Sequence, residues 1–214
     1  MAVIDAVLWD FGGVFTPSPF AAIEAAGDEL GIAPAAAIAY VFGPYDQDSD
    51  HPWHRLERGE LTMDAAREHI MAAAAADGVE LDPWDLLMRM GTTDGPLVNA
   101  DVLAAAHAVR ARGLRSGLVT NNIVELRDGW RSLVPVDELF EVVVDSSEEG
   151  VRKPDPRIFE IALERLDGPA PDRVAFLDDY QGNIDAAGGL GLRAIRVDPD
   201  PAEALEALER LLTD

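Results

Sequence analysis

The 214-residue chain has no cysteine. That excludes disulfides, a thiolate nucleophile and any thiolate-bound metal. It has a single lysine, Lys153; every other basic side chain among the 17 Lys and Arg is arginine. A composition that replaces lysine by arginine wherever either would serve makes the surviving one informative, because it marks a place where a compact ammonium is needed rather than a planar fork. Positive charge is scarce overall, with a net charge of −23. Such a surface repels nucleic acid and anionic lipid, so neither is an expected partner, and a phosphorylated ligand would need local positive charge to be held. No apolar stretch is long enough to span a bilayer and no basic leader precedes an apolar run, so the expectation is a cytoplasmic protein without a membrane partner. Hydrophobic residues make up 48% of the chain, enough for a core, and the length allows one domain with an insertion or two small ones.

The most informative stretch is Val7-Leu8-Trp9-Asp10-Phe11-Gly12-Gly13-Val14-Phe15. The apolar run Val3–Trp9 reads as a buried strand, which puts Asp10 at its C-terminal end. Gly12 and Gly13 then allow a sharp turn before the loop Thr16-Pro17-Ser18-Pro19. Residues 20–43 read as helical, interrupted at Gly31 and Pro34, and residues 45–52 as an acidic loop. Leu61–Ala76 is the clearest helix, with Thr62 as N-cap, and Pro83–Met90 is a short amphipathic turn or helix. The breaker cluster Gly91-Thr92-Thr93-Asp94-Gly95-Pro96 marks a boundary.

Beyond it, helix and strand alternate. Helix 100–112, capped by Asn99 and stopped by Gly113, precedes strand 115–119, and a helix follows through Ser132. Strand 141–144 precedes helix 156–166, which has Asp155 as N-cap and Pro156 at its first position. Strand 173–177, helix 182–187, strand 192–197 and helix 201–212 complete the chain. Such alternation predicts an α/β fold, a Rossmann-like parallel sheet with helices on both faces. The division expected is a core of 1–15 and 96–214 and an all-helical cap, 16–95, inserted after the first strand and lying over the C-terminal edge of the sheet.

In that topology Asp10, Thr120, Lys153 and the pair Asp178-Asp179 share one rim, the edge where open parallel sheets bind ligands. Three carboxylates beside one ammonium fit a hard divalent ion with oxygen ligands, Mg²⁺ being the one suited to phosphoryl transfer. A free carboxylate could then attack phosphorus while metal and lysine neutralise the transferring group.

Four stretches in this order, Trp9–Val14, Leu118–Asn122, Gly150–Phe159 and Phe176–Ile184, resemble the four motifs of the haloacid dehalogenase (HAD) superfamily. Leu56–Thr62 resembles a sub-branch holding small sugar-phosphate phosphatases and the N-terminal phosphatase domain of soluble epoxide hydrolases. The resemblance implies that Asp10 is nucleophile and metal ligand, with the Gly12 carbonyl, Asp179 and Asp178 as further ligands to Mg²⁺. It implies that Thr120 and the Asn121 amide, with the Gly12-Gly13 turn, hold phosphate oxygens. Lys153 would pair with Asp10 and the phosphate, and Asn183 would orient the acidic loop.

One position departs from the pattern. Most phosphatases of the family carry a second Asp two residues after the nucleophile, as general acid and base; here that residue is Gly12. His51, His54 and Glu57 in the expected cap are the candidate replacements, although a surface position in a polar loop is the simpler reading of both histidines. A substrate with a good leaving group, such as an acyl phosphate or a sugar 1-phosphate, would need no replacement. Three activities stay open: a Mg²⁺-dependent phosphatase of a small phosphorylated metabolite; a 2-haloacid dehalogenase, against which the acid pair counts; and a phosphometabolite-binding protein of little turnover. A monomer or homodimer is expected. Trp53, Trp84 and Trp130 read as packing residues.

Overall fold

The computed structural model describes residues 4–29, 31–88 and 96–213. Five strands, β1 (Ala6–Trp9), β2 (Arg115–Thr120), β3 (Val142–Asp145), β4 (Val174–Asp178) and β5 (Arg193–Arg196), form one sheet in the order β3-β2-β1-β4-β5. Every neighbouring pair is parallel. The strands are short and apolar on both faces because both faces are covered. On one face Val7, Trp9, Leu118 and Leu177 pack with the helices Ala100–Ala111 and Ala202–Thr213; on the other Leu8, Val119 and Phe176 pack with the helices Pro156–Arg165 and Gln181–Gly189. Alternate residues of β1 thus enter opposite cores, and β1, at the centre, is wholly buried. The indole of Trp9 still finds a partner, donating to Ser116 Oγ at 3.1 Å.

The helices run α1 (Pro19–Glu29), α2 (Pro34–Val41), α3 (Pro52–Glu57), α4 (Met63–Ala76), α5 (Pro83–Met88), α6 (Ala100–Ala111), α7 (Arg127–Arg131), α8 (Val136–Leu139), α9 (Ser146–Glu149), α10 (Pro156–Arg165), α11 (Gln181–Gly189) and α12 (Ala202–Thr213). The expected caps form. Thr62 Oγ1 accepts from Ala65 N, Asn99 from Asp101 N and Asp155 from Arg157 N. Ala66, Ile70 and Ala74 make the buried stripe of α4 at helical spacing.

Helices α1–α5 share a third apolar cluster, built on Ile23, Phe42, Trp53, Leu56, Ile70 and Leu86. Trp53 packs against Phe42 and Trp84 there, and Trp130 packs against Phe11 in the sheet core. The chain leaves the sheet after Phe15 and returns at Asn99, whose amide donates to Phe15 O at 2.8 Å.

Two expectations change. The first strand begins at Ala6; Val3, Met90 and the cluster 91–95 lie outside the described residues. Residues 52–57, expected to carry no element, form α3. Pro52 occupies its first turn, and His51 caps it by accepting from Trp53 N at 3.2 Å.

Candidate active site

Because all strands are parallel, their C-terminal ends share one rim. Asp10 directly follows β1, Thr120 ends β2 and Asp178 ends β4. Lys153 reaches the rim from the loop between α9 and α10. Its Nζ lies 2.7 Å from Asp10 Oδ1 and 2.7 Å from Asp178 Oδ2 and is 1% exposed. Burial alone would lower the lysine pKa, but the two carboxylates outweigh it and hold the ammonium above its ordinary value. The chain's single lysine therefore sits where a point charge must touch two acids at once.

Asp10, Asp178 and Asp179 each present a carboxylate oxygen within 4.8 Å of the others. Burial, Asp178 and Asp179 raise the Asp10 pKa well above its usual range, against the opposing pull of Lys153. Burial and Asp178 push Asp179 to about 6. Three carboxylates against one ammonium leave an excess of negative charge in a poorly solvated place. A hard divalent cation with oxygen ligands is what such a donor set fits.

Several neighbours fix these groups. Asn183 Nδ2 donates to both oxygens of Asp178, at 3.0 and 3.1 Å, and Tyr180 N donates to Oδ1 at 2.8 Å. Ser18 donates to Asp179 at 2.5 Å. Gly13 has φ +79°, and a Cβ on it would lie 2.0 Å from Asp179 Oδ2, so only glycine fits beneath the acidic loop. Gly12 differs: its φ is not positive, and a Cβ there would meet only Pro19 Cδ, at 4.0 Å.

Asn121 joins two loops. Its Oδ1 accepts from Lys153 N at 2.8 Å, and its Nδ2 donates to Lys153 O at 3.0 Å and to Tyr45 OH at 3.2 Å. The side chain thus clamps the lysine's backbone and leaves its own main-chain amide beside Thr120. The Thr120 hydroxyl is buried and lies 3.5 Å from Asn121 O, the limit of hydrogen bonding.

A second polar group centres on Arg152. Its Nε donates to Glu57 Oε2 at 2.6 Å, Tyr45 OH donates to Glu57 Oε1 at 2.8 Å, and the guanidinium lies 4.4 Å from the centre of the Tyr45 ring. Burial opposes the charge on Arg152, but Glu57 holds its pKa above the ordinary arginine value. The structure thus places Glu57 and His54 inside, where a surface loop was the simpler expectation for His54. The reason is α3, which turns both toward Arg152. Burial, then the charges of Arg152 and His51, hold His54 near pKa 3, and burial lowers that of His51. His54 will stay neutral from pH 8 to pH 5, measurable from its ring ¹⁵N shifts; a midpoint above 5 would contradict this. A neutral His54, and a Glu57 with both oxygens engaged, are poorly equipped to protonate a leaving group.

Ser18, Tyr45 and Arg152 are the residues sequence reading did not single out. Ser18 lies in the noticed Pro loop and Arg152 beside the noticed lysine, but their partners lie far along the chain.

The sequence profile of the haloacid dehalogenase-like hydrolases matches residues 4–191. The chain is 34% identical over 209 residues to mouse acyl-CoA dehydrogenase family member 10, covering 97% of this chain and 19% of that protein. It is 36% identical over 101 residues to phosphatase MT3486 of Mycobacterium tuberculosis, covering 46% and 45%. The chain spans about a fifth of the length of the first curated relatives it matches. Among solved structures, the L-2-haloacid dehalogenase of Xanthobacter autotrophicus with chloropropionic acid covalently bound superposes with TM-score 0.60 at 18% identity, covering 95% of this chain and 81% of that one. That likeness is one of fold. Among the described residues no helix is long and apolar enough to cross a membrane.

Proposed function

From the premise that this chain belongs to the haloacid dehalogenase-like hydrolases, we propose that it is a Mg²⁺-dependent phosphatase of a small phosphorylated metabolite. The observation that carries this reading is the bridge of Lys153 between Asp10 and Asp178, beside Asp179. A carbon-centred displacement of halide needs no such acid cluster; a phosphoryl group does, because charge spread over its oxygens must be matched by cations.

Asp10, Asp178, Asp179 and the Gly12 carbonyl would hold the metal, which neutralises phosphate charge when bound. Lys153 supplies the second cation and, together with the metal, would favour the ionised, nucleophilic form of Asp10. Thr120 and the Asn121 amide hold two phosphate oxygens, so that Asp10 meets phosphorus opposite the leaving oxygen. The Asp10 oxygen forms a bond to phosphorus as the bond to the leaving oxygen breaks. Water then attacks the same phosphorus, releasing phosphate and restoring the carboxylate. Helices α1–α5 act as a cap that excludes bulk water. With glycine at position 12, the leaving oxygen departs without a proton from that turn, which favours acyl phosphates and sugar 1-phosphates.

The test is phosphate release from a panel of acyl phosphates, sugar 1-phosphates, sugar 6-phosphates and p-nitrophenyl phosphate, with Mg²⁺ and with EDTA. Turnover is expected to require Mg²⁺, to favour the activated esters and to vanish in Asp10→Asn. Full activity in EDTA, or chloride release from 2-chloropropionate in its place, would overturn the reading.

A further inference from the structure

Arg152 is fully buried, yet its Nη1 and Nη2 have no hydrogen-bond partner. Leaving a buried charged donor unsatisfied is costly, so a guanidinium with a free edge needs a reason. Only the Nε side is occupied, by Glu57. The nearest anion to the free edge is Asp48, with Oδ1 3.7 Å from Nη1, beyond hydrogen-bond range; that same oxygen already accepts from Arg58 at 2.5 Å. A third orphan, His54 Nε2, is also buried, in a ring 5.9 Å from Tyr45, and Tyr45 lies against the guanidinium. This group adjoins the phosphate end directly. Arg152 precedes Lys153 in the chain, and Tyr45 is bonded to Asn121, which clamps Lys153.

We infer that Arg152 is a specificity residue: its Nη1–Nη2 edge, backed by Tyr45 and His54, takes a carboxylate on the leaving part of the substrate. The inference rests on the phosphatase reading and narrows it to phosphorylated substrates whose leaving part carries a carboxylate. A planar fork of two donors matches a carboxylate in a bidentate pair, and arginine keeps its charge when buried, as lysine need not. Asp48 approaches the edge that the ligand would claim. Asp48 stands beside Nη1 and the Tyr45 ring lies against the guanidinium, so entry requires their loop to lift, and a bound carboxylate would displace Asp48 toward Arg58. A role confined to holding α3 through Glu57 would need only the Nε edge.

The experiment is calorimetric binding to the full chain carrying Asp10→Asn, which prevents turnover, in Mg²⁺. Phosphoglycolate and 3-phosphoglycerate are compared with ethyl phosphate and glycerol 3-phosphate. At least one carboxylated ligand is expected to bind about tenfold tighter or better than its counterpart without a carboxylate, the factor one charge-assisted pair supplies. Adding Arg152→Lys should abolish the difference, whereas adding Glu57→Gln, which keeps the fork, should retain it. Equal affinities in the parent, or a preference that survives Arg152→Lys in a folded protein, would overturn the inference. If Arg152→Lys does not fold, the parent comparison alone decides. Because binding is read without turnover, a carboxylate preference in a protein whose unmutated form releases no phosphate would sink the phosphatase reading and leave the subsite standing.

Discussion

Replacing Gly12 by Asp should raise kcat about 10²–10⁴-fold on esters with poor leaving groups, the usual worth of general acid–base catalysis. The substitution has room. The backbone at position 12 is not left-handed, and the nearest atom to an added Cβ is Pro19 Cδ at 4.0 Å. The new carboxyl would stand two residues beyond Asp10, on the same turn and on the side of the inserted helices. It could give a proton to the departing oxygen and take one from the attacking water. The gain should appear with sugar 6-phosphates and be nearly absent with p-nitrophenyl phosphate, whose leaving group needs no proton. A uniform gain, or none, in a folded variant would mean that some other group already supplies the proton. Gly13→Ala one position along is the contrasting control. Its Cβ would overlap Asp179, and with φ +79° the backbone resists any side chain, so loss of Mg²⁺-dependent turnover is expected there.

The second large effect is at the only lysine. Lys153→Met should lower kcat by about 10²–10³-fold, the loss typical of removing one preorganised electrostatic contact. It should also cost about 3–5 kcal/mol of stability at neutral pH, since breaking a buried charge pair leaves its partners uncompensated. Here two partners are stranded, Asp10 and Asp178, with Asp179 alongside. Urea melts and steady-state kinetics measure both. Mg²⁺ should stabilise the variant more than the parent, because the cation then answers a larger excess of negative charge. Lys153→Arg should not restore activity: a planar fork cannot put one nitrogen 2.7 Å from both acids in a space shaped for an ammonium. Activity within tenfold of the parent in Lys153→Met would show that Asp10 does not depend on the ammonium.

The sheet was legible because its signals are local. Apolar runs ending in Asp10, Thr120 and Asp178, with capping residues Asn99 and Asp155 between them, specify strand and helix without distant context, and a parallel sheet then brings those ends together. Asn183 was legible only through the resemblance of its motif, although its partner Asp178 lies just five residues back. Helix α3 was not. Six residues are too few to show a helical period, and the acidic segment before them reads as loop. The burial of its Glu57 is decided by Arg152, whose guanidinium it meets only in the folded chain. Ser18, Tyr45 and Arg152 share that property. Each is a common polar residue whose role is set by contacts with residues far along the chain, and nothing in its neighbours announces it.

The hydrogen bond from Asn99 to Phe15 has a consequence for how such a protein can change. The backbone departs and re-enters the core at nearly the same point, so the strand order and both flanking layers are indifferent to the length of the excursion between, whereas the rim takes Ser18, Tyr45 and Glu57 from it. A tight turn, a different helical bundle or a whole second fold could hang from those two residues without moving Asp10. Inheritance of chemistry and inheritance of substrate choice are thereby uncoupled. The first travels with the sheet, and the second with whatever is spliced between Phe15 and Asn99, provided it returns a partner for the Nε edge of Arg152 as Glu57 does now.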